Sequence, residues 1–170
     1  MANRKNVRDL SNANLIQLRS LLDRYIIKPT DNPVEEHRAA GNDMSLMIHD
    51  DGFISWHQYF IAKCENWLVV NGGARFVPLP YWNPAQPIPD QLDKNNNTNV
   101  NLPLPANLRP QALTQVTNYR TLNNRLVPYH DRVHNAAGGQ MPNPENSPSD
   151  AIFWSFHSFL VAVYERWRNR

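Results

Sequence analysis

The sequence predicts an all-α protein, a helical bundle with long loops rich in proline and asparagine. Several segments carry apolar residues at helical spacing, and each is bounded by a cap residue, a proline or a glycine pair. Residues 74–110 instead combine many prolines with an asparagine run, and their apolar residues show no regular spacing. The chain of 170 residues suits one domain over 1–170 with a real core.

The first two helices are predicted from their start and stop signals. Ser11 reads as an N-cap, and the apolar residues after it keep helical spacing until Pro29 stops the run. A second, shorter helix covers "NPVEEHRAAG", with Asn32 as its cap, Pro33 in the first turn and Gly41 past its end.

The third helix is predicted over "ISWHQYFIAKCENWLVVNGG", where Gly72 and Gly73 end an apolar stripe. After the long loop at 74–110, residues 111–126 look helical. Pro128 is then expected to open a further helix, which Gly138 and Gly139 close. The last helix follows "MPNPENSPS", with Ser149 or Asp150 as its cap. The sequence shows no evident internal repeat.

Composition excludes several functional classes. A net charge of +2 with 19% charged residues gives no basic block, so no nucleic-acid partner is expected. One cysteine, Cys64, excludes an intrachain disulfide framework. The first residues lack the apolar run of a signal peptide, and no apolar stretch is long enough to span a membrane, so a cytoplasmic protein is the default expectation.

The six histidines are the candidate metal ligands. His130 and His134 are one helical turn apart, so their rings lie on one face and could share a metal. A solvated or hydrogen-bonded pair is the ordinary alternative, because such spacing also arises by chance. His157 follows near the start of the last helix, where a lone histidine is more often a satisfied core residue than a ligand.

The order of residues around these three histidines resembles the second copper half-site of the tyrosinase and catechol oxidase family. The sequence pattern of that family is H-N-x-V-H, then G-G-x-M, then S-P-x-D-P-x-F-W-x-H-H. The matching positions in this chain are His130, Val133, His134, Gly138, Gly139, Met141, Ser147, Pro148, Asp150, Phe153, Trp154 and His157. Many positions match in one order, which makes the resemblance specific.

The first half-site resembles the family less fully. The family places its third ligand inside F-L-x-W-H-R-x-Y, which "FISWHQYF" resembles with His57. His49 stands in the loop before it, and His37 is the remaining candidate for the first ligand. The segment "LPYWNP" resembles the family's P-Y-W-D-W, with Asn83 where an aspartate is usual. The resemblance covers residues 10–168.

The resemblance implies a four-helix bundle core that holds two copper ions, each bound by three histidines, with O₂ as co-substrate. His37, His49 and His57 would bind one ion, and His130, His134 and His157 the other. Neutral imidazole binds both copper oxidation states, and three nitrogens leave a coordination position open. The implied activity is oxidation of o-diphenols to o-quinones, with hydroxylation of monophenols.

Three alternatives stay open: an o-aminophenol oxidase on the same site, an oxygen-binding protein without turnover, and a mononuclear protein that binds a metal with the second triplet only. The resemblance also leaves open whether a helper delivers copper, which phenol is the substrate and what the oligomeric state is.

Two further predictions concern substrate. Asp131 follows a ligand, where the family often has asparagine, and a carboxylate there could act as a base toward a phenol. The loop "AAGGQMPNPEN" links two ligand-bearing helices and should roof the open coordination positions. Its candidate substrate-binding residues, with the one directly after His134, are Asn135, Met141, Asn143 and Pro144.

Overall fold

The computed structural model describes residues 4–46, 48–93 and 100–170. Within these ranges, six α-helices follow one another: α1 (Asn12–Ile26), α2 (Pro33–Asn42), α3 (Phe53–Val70), α4 (Pro110–Leu113), α5 (Tyr119–Ala137) and α6 (Ala151–Arg168). Within these ranges the only extended pairing is a single bridge between Asn6 and Tyr81. The predicted all-α class is confirmed.

The predicted caps of the first two helices are confirmed. The Ser11 side chain accepts a hydrogen bond from the Asn14 amide, and the Asn32 side chain accepts from the amides of Val34 and Glu35. These bonds satisfy amides that have no partner inside the helix. The second helix runs past Gly41 to Asn42, slightly further than predicted.

The predicted start of the fifth helix at Pro128 is wrong. The chain forms only the short α4, leaves the helical conformation, and enters α5 at Tyr119, where the Asn118 side chain accepts from the Thr121 amide. Pro128 therefore lies inside α5. A proline has no amide hydrogen for the carbonyl four residues earlier, here that of Asn124, but packing of the buried face of the helix outweighs this loss.

The core forms around α3 and α6, which pack against each other, with α1 against both. Aromatic rings fill this contact: Trp154 of α6 lies 5.0 Å from both Tyr25 of α1 and Phe60 of α3, measured between ring centroids. Burial of such large rings is the main stabilising term of the bundle.

The described part of the loop at 74–110, which excludes residues 94–99, packs on the bundle. It contains the short 3₁₀ turns Ala74–Phe76 and Ala106–Leu108. Trp82 is fully buried, its amide donates to the Ser155 carbonyl of α6, and the Ser158 hydroxyl donates to the Leu79 carbonyl. Buried apolar side chains thus fix the described part of this loop on the bundle. Among the described helices, none has the length and apolar character that crossing a membrane requires.

Candidate metal centre

Four helices and one loop bring all six histidines together. His37 lies on α2, His57 on α3, His130 and His134 on α5, and His157 on α6, and these five are buried. His49 lies in the loop between α2 and α3 and is exposed.

The first predicted triplet is an open triangle. The ring centroids of His37 and His49 are 5.6 Å apart, those of His37 and His57 are 5.8 Å apart, and those of His49 and His57 are 6.3 Å apart. Phe153 of α6 makes a T-shaped contact with His37, with 5.5 Å between ring centroids.

The second predicted triplet is tighter. The ring centroids of His130 and His134 are 4.1 Å apart, and His157 lies 5.2 Å from the first and 5.3 Å from the second. The i, i+4 spacing on α5 therefore does place both rings on one face. Phe156 takes the place of a histidine in the family pattern and stacks over His130 with an interplanar angle of 16°.

Hydrogen bonds to Nδ1 orient four of the six rings. In α3 and α6, the Nδ1 groups of His57 and His157 lie 2.8 Å from the carbonyl oxygens of Phe53 and Phe153, one helical turn earlier. His134 Nδ1 lies 2.6 Å from the Met141 carbonyl, and His130 Nδ1 lies 2.8 Å from Asp131 Oδ1. Because a carbonyl or carboxylate only accepts, each Nδ1 carries the proton and each Nε2 keeps its lone pair.

Three of these four lone pairs have no protein partner among the described residues. Nε2 of His57, His134 and His157 is buried and makes no hydrogen bond within the described residues. A buried polar atom without a partner costs stability unless something else binds it. A metal ion that accepts these lone pairs would remove the penalty, and metal-ligating histidines usually donate their other nitrogen in this way. The residues present therefore fit a metal bound by imidazole.

His37 differs from these three. Its Nδ1 is buried and has no hydrogen-bond partner among residues 4–46, 48–93 and 100–170. The Pro144 backbone carbonyl is a hydrogen-bond partner of this ring, and it opposes the lowering of the His37 pKa by burial.

The histidines are uncharged near neutral pH. Burial, with repulsion from His49 and His134, lowers the pKa of His37 to about 3, and burial lowers the pKa of His134 to about 4. Burial also lowers the pKa values of His57, His130 and His157 well below the ordinary value, and it lowers that of His49. Only the neutral imidazole binds a metal, so these shifts favour ligation at pH 7.

The two triplets adjoin. His57 and His157, one from each, stack with 4.6 Å between centroids and 18° between planes. His57, His130 and His157 offer nitrogens that all lie within 4.8 Å of one another. One ion with imidazole bonds of about 2.1 Å holds two ligand nitrogens at most about 4.2 Å apart, so this mixed set is close to a binding geometry. The geometry thus joins residues that the sequence assigned to different ions.

The glycine pair and the residues after it explain the hydrogen bond between His134 Nδ1 and the Met141 carbonyl. Gly138 has φ 69° and ψ −161°, and Gly139 has φ 59°. These left-handed conformations turn the chain back at the end of α5, so the Met141 carbonyl meets His134. Asp150, the N-cap residue directly before α6, accepts a hydrogen bond from the Gln140 amide and fixes the loop from its other end.

A cavity of about 370 Å³ opens onto the centre. It is lined by His49, His130, Asp131, His134, Asn135, Met141, Pro142, Pro144 and Ser147. A second cavity of about 310 Å³ shares His49 and Pro144 with the first and is lined by His37, Arg38, Gly41, Asn42, His49, Asn143, Pro144 and Glu145. Of the predicted substrate residues, Asn135 and Met141 thus line the first cavity, Asn143 lines the second, and Pro144 lines both.

The predicted catalytic residue, Asp131, sits at the rim of the first cavity. Its side chain is 59% exposed, and one carboxylate oxygen is engaged by His130. Partial burial raises the pKa of this carboxyl, and the nearby His49 opposes the rise. The contact with His130 shows Asp131 holding a candidate ligand; action as a base stays a prediction.

One signal in the sequence was missed. The segments "FISWH" and "FWSFH" repeat F-x-S-aromatic-H at residues 53–57 and 153–157. In both, the histidine Nδ1 bonds the carbonyl of the leading phenylalanine. This short local repeat identifies the two stacked histidines that lie at the junction of the triplets.

The chain was compared with known proteins. The family model described as the common central domain of tyrosinase matches residues 26–107 and 88–170.

This chain belongs to the tyrosinase family.

Membership makes it a relative of type-3 copper oxidases and implies copper as its metal. Comparison with curated proteins and with solved structures gave no match. The family is therefore established by the domain match, and the reaction and substrate are matters of inference from this site.

Proposed function

We propose that this protein is a dinuclear copper oxidase that uses O₂ to oxidise o-diphenols to o-quinones and also hydroxylates monophenols. The observation that carries the proposal is the set of unpartnered, proton-free Nε2 atoms in one buried cluster next to an open cavity. In this proposal His37, His49 and His57 bind one copper, and His130, His134 and His157 bind the other.

The bound coppers would supply O₂ binding and electron transfer, and the chain's own residues do the rest. The carbonyls of Phe53, Phe153 and Met141 keep protons on Nδ1 and aim Nε2 into the cluster. Phe153 and Phe156 exclude water from the inner face of the histidines. Pro144 and Met141 border the cavity in which a phenol ring would lie.

The number of phenol molecules consumed per O₂ tests the proposed reaction. Each o-diphenol loses two electrons and two protons, and one O₂ accepts four of each to give two waters. Two diphenols should therefore be consumed per O₂. A monophenol, with one O₂, gives one o-quinone and one water. Oxygen uptake measured against quinone formed distinguishes these ratios.

The decisive experiment is the copper content of fully reconstituted protein together with oxygen uptake on a catechol. Two coppers per chain and two catechols per O₂ are expected. His157→Ala should abolish turnover and retain the helical circular dichroism spectrum, since the loss lies in the metal centre. Two bound coppers without any oxygen uptake would contradict the proposed oxidation and favour an oxygen-binding protein.

A second candidate rests on the mixed cluster. His57, His130 and His157 offer nitrogens close enough for a single ion, which favours a mononuclear site in which His57 takes the place of His134 in the second triplet. One copper per chain that is lost in His57→Ala and retained in His37→Ala would support this candidate against the dinuclear centre.

The role of Asp131 is separable by comparing substrates. If it is the base for monophenols, Asp131→Leu should lower monophenol turnover more than diphenol turnover at equal copper loading. If it only holds His130, both rates should fall by the same factor.

A further inference from the structure

A third cavity, of about 720 Å³, lies apart from the metal centre, and none of the described residues that line it is a histidine. Four of its lining residues lie on α6: Phe159, Ala162, Val163 and Arg166. At 3.6 residues per turn, these four positions lie about 140–240° around the helix from His157. The cavity is therefore on the opposite side of α6 from the metal centre, and we call it the α6 cavity.

Backbone hydrogen bonds fix the loop segments that line the α6 cavity beside the helix. The Tyr81 amide donates to the Lys5 carbonyl at 2.9 Å, and the Tyr81 carbonyl accepts from the Val7 amide at 2.8 Å. The Leu102 amide donates to the Pro84 carbonyl at 2.7 Å, which ties the two loop segments together. The space is thus formed without a ligand, and its volume is in the range of ordinary small-molecule sites.

Much of the lining of the α6 cavity is apolar and aromatic. The rings of Tyr81 and Phe159 both line it, with 5.8 Å between their centroids and 41° between their planes. A flat ring bound against this pair would gain contact in the tilted or offset arrangements that aromatic rings prefer. The other apolar lining residues are Ala85, Pro103, Leu104, Ala162 and Val163.

The buried charge of the α6 cavity is balanced. The side chain of Arg4 is 7% exposed, and its guanidinium forms ion pairs with the carboxylates of Glu65 and Glu165. It also donates to the Ser158 hydroxyl oxygen at 3.3 Å. Two carboxylates therefore match this one cation, so Arg4 adds no net positive charge to the cavity.

The exposed charge of the α6 cavity is not balanced. Arg109 and Arg166 both line it and are exposed, and neither forms an ion pair with a carboxylate of the described residues. The Nε of Arg109 donates to the Leu104 carbonyl at 3.3 Å, which holds its side chain beside the cavity. A guanidinium with free N–H groups binds a carboxylate through two parallel hydrogen bonds. The combination of aromatic rings and uncompensated arginines suits a ligand with a ring and a carboxylate.

We propose that the α6 cavity binds a small aromatic carboxylate, with its ring against Tyr81 and Phe159 and its charge attracted by Arg109 and Arg166. This binding site goes beyond the proposed oxidation and does not depend on it, because the ligand touches none of the six candidate metal ligands.

The test is isothermal titration calorimetry of the copper-loaded protein with naphthalene-2-carboxylate. A dissociation constant of about 1 mM or tighter is expected, which ligands of this size ordinarily reach. Naphthalene-2-carboxamide has the same shape without the charge, and it should bind about fourfold to twentyfold more weakly, since each exposed arginine contributes a few fold. Sodium chloride at about 0.5 M should reduce this difference by screening. No binding, or equal binding of the two compounds, overturns the proposal.

Charge variants locate the bound carboxylate. Arg109→Gln and Arg166→Gln should each raise the dissociation constant of naphthalene-2-carboxylate by about twofold to fivefold. Arg168→Gln is the matched control, because Arg168 is exposed on the same helix and is not among the residues that line the cavity. An equal rise in all three variants would mean a general effect of surface charge and would overturn the proposal.

A cavity-filling variant locates the bound ring. Ala162→Trp should abolish binding of naphthalene-2-carboxylate, and circular dichroism checks that the helices are retained. A carboxylate that binds at the copper centre instead would keep its affinity in Ala162→Trp and in both arginine variants, which would overturn the proposal. Because binding is measured without turnover, failure of the proposed oxidation would leave this result unaffected.

Discussion

Replacement of Gly138 by alanine tests how the chain reversal after α5 supports the metal centre. With φ 69° and ψ −161°, Gly138 occupies a region that is essentially restricted to glycine. An alanine held there costs about 1–3 kcal/mol of unfolding free energy. If the backbone relaxes instead, the Met141 carbonyl moves away from His134 Nδ1, and loss of such a support lowers metal affinity by about 10–100-fold.

The measurements are urea unfolding of the copper-free protein and competition for copper with a chelator of known affinity. Gly41→Ala is the matched control for the unfolding free energy, because Gly41 lies inside α2 and an added Cβ would meet His49 Cε1 at an ordinary 3.8 Å. This control should be neutral or stabilising by about 0.5–1 kcal/mol. The reasoning is refuted if Gly138→Ala changes neither unfolding free energy nor copper affinity.

Three other predictions follow from the site. The folded-state pKa values of His37 and His134 lie below the ordinary 6.5. The copper-free protein should therefore be most stable above pH 6.5 and lose stability as the pH falls toward 4. An unfolding free energy that stays constant between pH 7 and 4.5 would contradict these pKa shifts. His130→Ala should lower copper content with little change in helical circular dichroism, whereas a global loss of helix would mean that the ring is a core element. Pro144→Trp should alter the relative rates on small and large phenols at constant copper content, and unchanged relative rates would place the substrate elsewhere.

The caps of the first two helices were predictable from local chemistry. Ser11 and Asn32 satisfy the first amides of their helices, and this needs no knowledge of the rest of the chain. The clustering of six histidines followed from the family resemblance, because their spacing alone fits chance pairs.

Other features depend on packing that a sequence does not display. Pro128 carries a helix-start signal, yet the buried face of α5 and the Asn118 cap keep it inside the helix. The approach of His57 to His157 depends on how α3 crosses α6, so the mixed set of nitrogens could not be foreseen from the order of residues. The assignment of Asp131 as a base likewise omitted its contact with His130, which only the folded geometry displays.

The hydrogen bonds to Nδ1 that hold the histidine rings, here called tethers, differ in how easily a substitution can remove them. Those of His57, His134 and His157 end on main-chain carbonyls, which persist when the side chains of Phe53, Met141 or Phe153 change. The tether of His130 ends on a side chain, that of Asp131. Substitutions of those side chains therefore leave three of the histidine rings aligned. A substitution of Asp131 alters the electron donation to the fourth ring, that of His130, and its freedom to move, so this position is the natural point at which evolution, or an engineer, adjusts the reactivity of the centre.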